Sequence, residues 1–368
     1  MEFRHAHPEY DEAPRQGCHE RRAARSQLAV VFLFVSMSAI LPIGTHACFK
    51  DPPDQDAFGP SDNLLLEART FLAEGKMDQA ESAVRAYLVG HQNSARAHFL
   101  LGLILFRKIQ ADALEKRAHA GSDSASELRG SDLREKNARA SLAEYTEGAK
   151  YERPSASDLK IVALDYVLLG SYADASKWLT TSVQQNPKDA EAWYYLGRSR
   201  YNENRFEEAA RAFLKCLELE PRNVKAQSNL GLSYAGLNRI AEAQDAFLKA
   251  IDWQAESSVK NAEPYIDLGD LLIQQNRIKE AVTYLTKAAQ IAPRESRARE
   301  KLGSAYLNLN DLAGAQEQLE LAVAQDPQNP SSHYLLGSVY RKQGRLDKAK
   351  AEFERFEKLK EATGTSHP

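Results

Sequence analysis

The sequence predicts an all-α protein, a solenoid of about eight stacked antiparallel helix pairs over residues 61–363. Three observations predict it. A Leu-Gly pair returns at a fixed interval, as Leu196-Gly197, Leu230-Gly231, Leu268-Gly269, Leu302-Gly303 and Leu336-Gly337, with glycine spacings of 34, 38, 34 and 34. A second pattern, Ala followed four residues on by an aromatic or Leu, returns in step: Ala175/Leu179, Ala209/Phe213, Ala243/Phe247, Ala281/Leu285, Ala315/Leu319 and Ala349/Phe353. Only 19 glycines and 14 prolines interrupt 368 residues, a helix-forming composition. A period of this size means one supersecondary unit repeated, each too small to bury its own apolar face.

The first element is read differently. Arg21, Arg22 and Arg25 precede an uncharged apolar run from Leu28 to Leu41, broken by Pro42 and Gly44, and Thr45-His46-Ala47 follows as a small-x-small site. A basic region, a short apolar region and a cleavage site describe a secretory signal over residues 1–47. The run would span about 21 Å as helix, short of the roughly 30 Å hydrocarbon core. The basic region is long enough that the start codon is placed further in. An uncleaved membrane segment at residues 28–43, a lipidated Cys48 and a twin-arginine signal at Arg21-Arg22 are the alternatives; the last two lack the flanking residues expected of them. Residues 48–60, rich in Pro and Asp, read as a linker.

The units follow as 61–94, 95–155, 156–189, 190–223, 224–257, 262–295, 296–329 and 330–363, with 364–368 as a tail. The second carries 27 extra residues, read as a helical hairpin near 110–136 that projects from the stack. Its turn is placed at Gly121–Gly130, and Asp132 with Glu135 resembles a capping box. Within each unit a glycine at the helix crossing lets the backbones approach, so Gly197 is expected to face Ala209, with Trp193, Leu196 and Phe213 filling the space around them. Between the helices one slot holds Asn204, Asn238, Asn276 and Asn310, or Gly75, Gly170 and Gly344, the residue types that tolerate a left-handed backbone. Pro187, Pro221, Pro293 and Pro327 close four units.

Trp193, Leu196-Gly197, Ala209, Phe213 and Pro221 together resemble the tetratricopeptide repeat (TPR), whose pattern is W-x₂-L-G-x₂-Y, A-x₃-F, P. The resemblance covers about 300 residues. It implies a right-handed superhelix whose first helices line a concave groove, and a function in binding proteins or peptides.

Enzyme chemistry finds no footing in the sequence. No Walker loop, G-x-S-x-G, H-E-x-x-H or C-x-x-C occurs. Three cysteines (Cys18, Cys48, Cys216) make neither a disulfide framework nor a metal set, and His91 and His98 lack ligand partners in sequence. No catalytic residue, metal or cofactor is named. A net charge of −3 with interspersed signs argues against nucleic acid as a partner. The expected function is therefore a non-enzymatic scaffold outside the cytoplasm, periplasmic or secreted. The alternative is a membrane-anchored or lipidated component of envelope assembly or secretion machinery.

The binding surface is predicted from helical spacing. The stripe offset from Leu-Gly is Glu191, Tyr194, Arg198 and Tyr201 in the fourth unit, with Leu232 in the fifth, Asp270 in the sixth, and Tyr334 and Arg341 in the eighth. Toward the N-terminus it turns apolar, with Phe99, Leu103 and Phe106, then Leu164 and Val167. Some of these are expected to serve only packing between units. Tyr194, Arg198 and Tyr201 are the strongest candidates, being of the types that dominate interfaces. A carboxylate clamp built on Lys160 and Asn229 is disfavoured by Glu263 and Asp267 beside it. At the far end, Phe356 replaces the small residues of earlier units, and with Leu359 is expected to form an exposed edge able to associate weakly with a second molecule.

Overall fold

The computed structural model describes residues 63–118, 124–255 and 257–364. The predicted export signal, the linker, Cys18, Cys48 and the tail beyond 364 lie outside the described residues.

Sixteen α-helices and no strand occur among the described residues, arranged as eight consecutive pairs. The pairs are α1 (Asn63–Ala73) with α2 (Met77–Gly90), α3 (Ala95–Ala118) with α4 (Ser124–Gly148), α5 (Ala156–Leu168) with α6 (Tyr172–Gln185), and α7 (Ala190–Asn202) with α8 (Phe206–Leu219). Then come α9 (Val224–Gly236) with α10 (Ile240–Trp253), α11 (Glu263–Gln274) with α12 (Ile278–Ile291), α13 (Ser296–Asn308) with α14 (Leu312–Gln325), and α15 (Pro330–Lys342) with α16 (Leu346–Gly364). Each first helix packs on its own second helix, and each second helix on the next first helix. No helix among the described residues is long and apolar enough to cross a membrane.

Local chemistry sets the boundaries. Asn204, Asn238, Asn276 and Asn310 have φ of 58–59°, and Gly75, Gly170 and Gly344 have φ of 74–76°. The residue after each donates its N–H back to the first helix, as Arg205 does to the Arg200 carbonyl (2.9 Å) and Arg239 to Tyr234 (2.8 Å). This closes the helix and reverses the chain in one step. First helices begin at side-chain caps: Ser155, Asp189, Asn223, Glu295 and Asn329 accept from the first free N–H groups.

The crossing differs in one detail from expectation. A Cβ added at Gly197 would lie 2.7 Å from the Phe213 ring, so the glycine faces Phe213, not Ala209. Ala209 is fully buried one turn away. The same clash awaits at Gly231 with Phe247, Gly269 with Leu285, Gly303 with Leu319 and Gly337 with Phe353. Large side chains press flat on the glycine backbone, which is how the two axes come close.

Two further expectations are corrected. Helix α4 starts at Ser124, so Asp132 and Glu135 stand inside it and form no capping box. Glu135 instead pairs with Arg139 (2.8 Å). Gly130 costs about 1 kcal/mol relative to Ala in a helix, too little to break one anchored by buried Ala138, Ser141 and Tyr145. The two hairpin helices have 24 and 25 residues, against 11–14 in the other pairs before the terminal helix α16, which is where the extra residues go. At the C-terminus Leu359 is buried, so it forms no exposed edge. Phe356 is half-buried with its ring 5.3 Å from that of Tyr334, and the exposed apolar residue there is Leu346, at 68%.

Candidate functional site

From α3 to α15, each first helix also touches the next first helix, whereas successive second helices make no comparable contact. The first helices therefore form the inner, tighter side of the stack, and their free faces line its concave surface.

Sequence spacing places a second set of residues on this face, and the structure joins them across units. Lys160 donates to Asp189 (2.9 Å) and Glu191 (2.8 Å). Arg297 donates to Glu263 (2.6 Å) and Asp267 (2.5 Å), and Ser228 reaches Asp267 from the other side (3.1 Å). Lys301 holds Asp270 (2.5 Å). Glu300 accepts from Asn329 (2.6 Å), Ser331 (3.1 Å) and Ser332 (3.1 Å). All but the Ser228 bond join residues 29–34 apart, close to one period, which brings a residue beside its neighbour on the next first helix.

Burial sets the electrostatics. The Asp267 side chain is 2% exposed; burial pushes its carboxyl up, opposed by Arg297. For Arg297 burial works against the charge, but Asp267 and Glu263 outweigh it. Burial likewise opposes the Lys160 ammonium, and Glu191 and Asp189 overcome it. Lys160 is thus engaged by carboxylates, and the Asn229 amide donates to the Lys225 carbonyl (2.9 Å), so this pair is committed within the protein.

The predicted binding residues divide into two groups. Phe99 stacks on Tyr145 (5.8 Å) and lies against Gly148, within its own unit. Leu103 is half-buried against the N-terminal core. Phe106 and Val167 are buried, and Leu164 packs on the cluster of Phe106, Ile109 and Ala138. Leu232 is half-buried against the core of the fifth and sixth units. Asp270 is half-buried and paired, as above.

Tyr194, Arg198 and Tyr201 stand together on α7. The Arg198 guanidinium lies 5.9 Å from the Tyr194 ring centre, and that ring is 6.0 Å from Phe213. Tyr201 sits against Phe206 at 5.3 Å. Its phenol is pushed up to about 12, by burial first and then by Asp267 and, more weakly, Asp270, with Arg297 opposing. Tyr201 of the fourth unit therefore faces charges of the sixth and seventh across the concave side. Tyr334, 48% exposed, and Arg341 lie at the open end, both against Phe353 (5.8 Å and 5.5 Å).

Sequence reading missed one recurring device. The Trp193 indole donates to the Pro187 carbonyl (2.9 Å), tying the loop between units to the helix that follows. In the same slot, His98 lies 2.8 Å from the Gln92 carbonyl and 2.7 Å from Glu144, and His333 lies 3.1 Å from the Pro327 carbonyl and 2.6 Å from Glu352. The signal was available, since each nitrogen-bearing ring falls six residues after its acceptor. Among the described residues no group of three His, Cys, Asp or Glu could hold a metal ion.

Comparison with known proteins agrees with this architecture. No curated protein sequence matches the chain. Among solved structures, a tetratricopeptide repeat protein from Parabacteroides merdae ATCC 43184 is 17% identical, covers 76% of this chain and 98% of its own, and superposes with a TM-score of 0.56. Pseudomonas aeruginosa pilF (19% identical, 55% of this chain and 91% of its own, TM-score 0.49) and YrrB, described as a TPR protein with an unusual peptide-binding site (24%, 50% and 93%, 0.38), are also similar. Profiles described as tetratricopeptide repeat match residues 65–115, 190–223, 223–294, 272–337 and 306–357. With helix pairs, crossing glycines and left-handed connectors in step with those matches, the chain belongs to the tetratricopeptide repeat family.

Proposed function

We propose that this protein is a non-enzymatic scaffold acting outside the cytoplasm, and that it binds a peptide or protein segment in its concave groove. The fold supports a protein–protein interaction role in general. The observation that carries the finer reading is the Tyr194–Arg198–Tyr201 cluster. Most charges around it are spent on neighbouring units, whereas Tyr194, Arg198 and Tyr201 are half-buried on α7, their rings resting on the core of their own unit with part of their surface uncovered and the guanidinium beside the Tyr194 ring. Such surfaces bind with little loss of side-chain entropy and dominate interface energies. The partner is expected to be an extended or helical peptide with aromatic or aliphatic anchors.

The test is a displayed peptide library selected on the full chain. Peptides enriched on the wild type should lose binding to a variant with Tyr194, Arg198 and Tyr201 all replaced by Ala, and keep binding to Arg222→Ala, on the exposed loop after α8. Circular dichroism should show unchanged helicity. Binding retained by the triple variant would remove the groove assignment.

The apolar run at residues 28–43 supports a second reading, a membrane-tethered member serving envelope assembly or secretion. Intact mass of exported protein separates the two, since cleavage after Ala47 leaves a chain beginning at Cys48. Weak self-association is proposed at the C-terminal end, where Arg341, Leu346, Phe353 and Glu357 line a shallow groove of about 670 Å³. A monomer mass independent of concentration would exclude it.

A further inference from the structure

A carboxyl group is buried without a partner where the second unit meets the third. Asp165, on α5, is 0% exposed, and neither of its carboxylate oxygens has a hydrogen-bond partner. It occupies the slot two residues past the crossing position. Later units place Ser199, Ser233, Leu271, Ala305 and Val339 there, all buried and all small or apolar. An uncompensated polar group of this kind is costly, and an ionised one far more so. Ser199 also leaves a buried hydroxyl without a partner, but among units three to eight only the third places an ionisable group in this slot.

The location gives the group its meaning. Asp165 lies beside the crossing of α3 and α4, the two helices of the long hairpin. At that crossing a Cβ on Gly102 would sit 2.7 Å from the Tyr145 ring, and the Ser141 hydroxyl donates to the Gly102 carbonyl (3.0 Å). The Tyr145 hydroxyl is buried and also lacks a partner. An ionised Asp165 would need donors, and the hydroxyls at hand belong to Ser141 and Tyr145. Drawing the Ser141 proton away from Gly102 would undo a bond at the point where the hairpin helices are closest.

We propose that Asp165 is a pH-sensitive joint between the hairpin unit and the third unit: neutral, it lets α4 and α5 close on each other; ionised, it loosens their packing and frees the hairpin to shift against the groove. Burial holds this carboxyl well above the usual carboxylate range, and the Ser141 hydroxyl opposes weakly. The titratable neighbour on α4 is Tyr145, whose phenol is raised by burial first, with Asp158 and Asp165 adding and Arg107 of α3 opposing. From α6 and α7 no charge acts on Asp165. The folded state thus holds a proton that the unfolded chain releases near its ordinary value. The joint is most stable below that value, weakens as pH rises toward the folded value, and levels off above it.

Hydrogen exchange with mass spectrometry on the full chain between pH 4 and 8 tests this. After correction for intrinsic exchange, protection of α4 and α5 should fall as pH rises, by up to about tenfold per pH unit, while α10 and α14, which carry no carboxyl raised by burial, stay flat. Asp165→Asn should abolish the slope and leave α4 and α5 better protected than wild type at pH 8. A flat wild type, or the same slope in the Asn variant, would overturn the proposal. Should that variant not fold, carbon-13 NMR of aspartate-labelled wild type decides: every carboxyl titrating in its ordinary range refutes it, and one titrating well above supports it.

Discussion

Gly231→Ala should destabilise the protein although it replaces the second-worst helix former with the best. The new Cβ would meet Phe247 Cε1 at 2.6 Å, Cδ1 at 2.7 Å and Cζ at 3.0 Å. Ordinary contacts begin near 3.4 Å, so the ring must retreat by almost 1 Å. Phe247 is 1% exposed and closed in by packed neighbours, so the ring has no room to retreat and α9 and α10 must separate instead. Overpacking of this kind costs roughly 1–3 kcal/mol, and the helix gains about 1 kcal/mol from losing glycine. The net expectation is a loss of about 1 kcal/mol, rising to several for Gly231→Leu. Gly90→Ala is the control, because nothing lies within 4 Å of that position and only the gain should remain. Urea denaturation followed at 222 nm reads both, compared by midpoint because repeat arrays depart from two-state behaviour. Adding Phe247→Ala to Gly231→Ala should cost less than the sum of the single changes, by about 0.5–3 kcal/mol. Were Gly231→Ala to raise the midpoint as Gly90→Ala does, or were the pair additive, the close crossing would not be what positions these helices.

Arg297→Ala strands the Asp267 carboxylate, 2% exposed, and should cost about 3–5 kcal/mol; Arg297→Lys should recover only part, since the two guanidinium nitrogens that reach Glu263 and Asp267 separately are replaced by a single point of charge on a shorter side chain, and thermal midpoints of the two variants check this. Asn204→Gly should be nearly neutral and Asn204→Val should cost about 1–2 kcal/mol, because φ of 59° suits only the first; differential scanning calorimetry reads the difference.

The elements governed by one local rule were legible in the sequence. Asn204 and Gly170 share a slot because both tolerate a left-handed backbone, and the structure places all seven such residues there. Leu196-Gly197 and Phe213 recur because each unit solves the same packing problem. The hairpin start was misread because Asp132 and Glu135 have capping spacing, yet the helix had already begun at Ser124 and its end was held by Tyr145, far along the chain. Leu359 was misjudged because an end residue looks exposed when only its own unit is considered. At the groove, Tyr194, Arg198 and Tyr201 could be placed on one face from spacing. That Asp267 and Arg297 spend their charges on each other could have been read from a separation of 30, four short of the period, but only with neighbouring units aligned.

Those inter-unit pairs also record the order of the units. Deleting residues 296–329 would keep the helical period and the Leu-Gly frame, and would bring Ser331 to the place of Arg297 and Leu335 to that of Lys301. Asp267 and Asp270 would then face a hydroxyl and an aliphatic chain in place of two cations. An array that looks modular in its frame is thus keyed along its inner wall, and its length cannot be trimmed by one unit without rewriting the neighbour left behind.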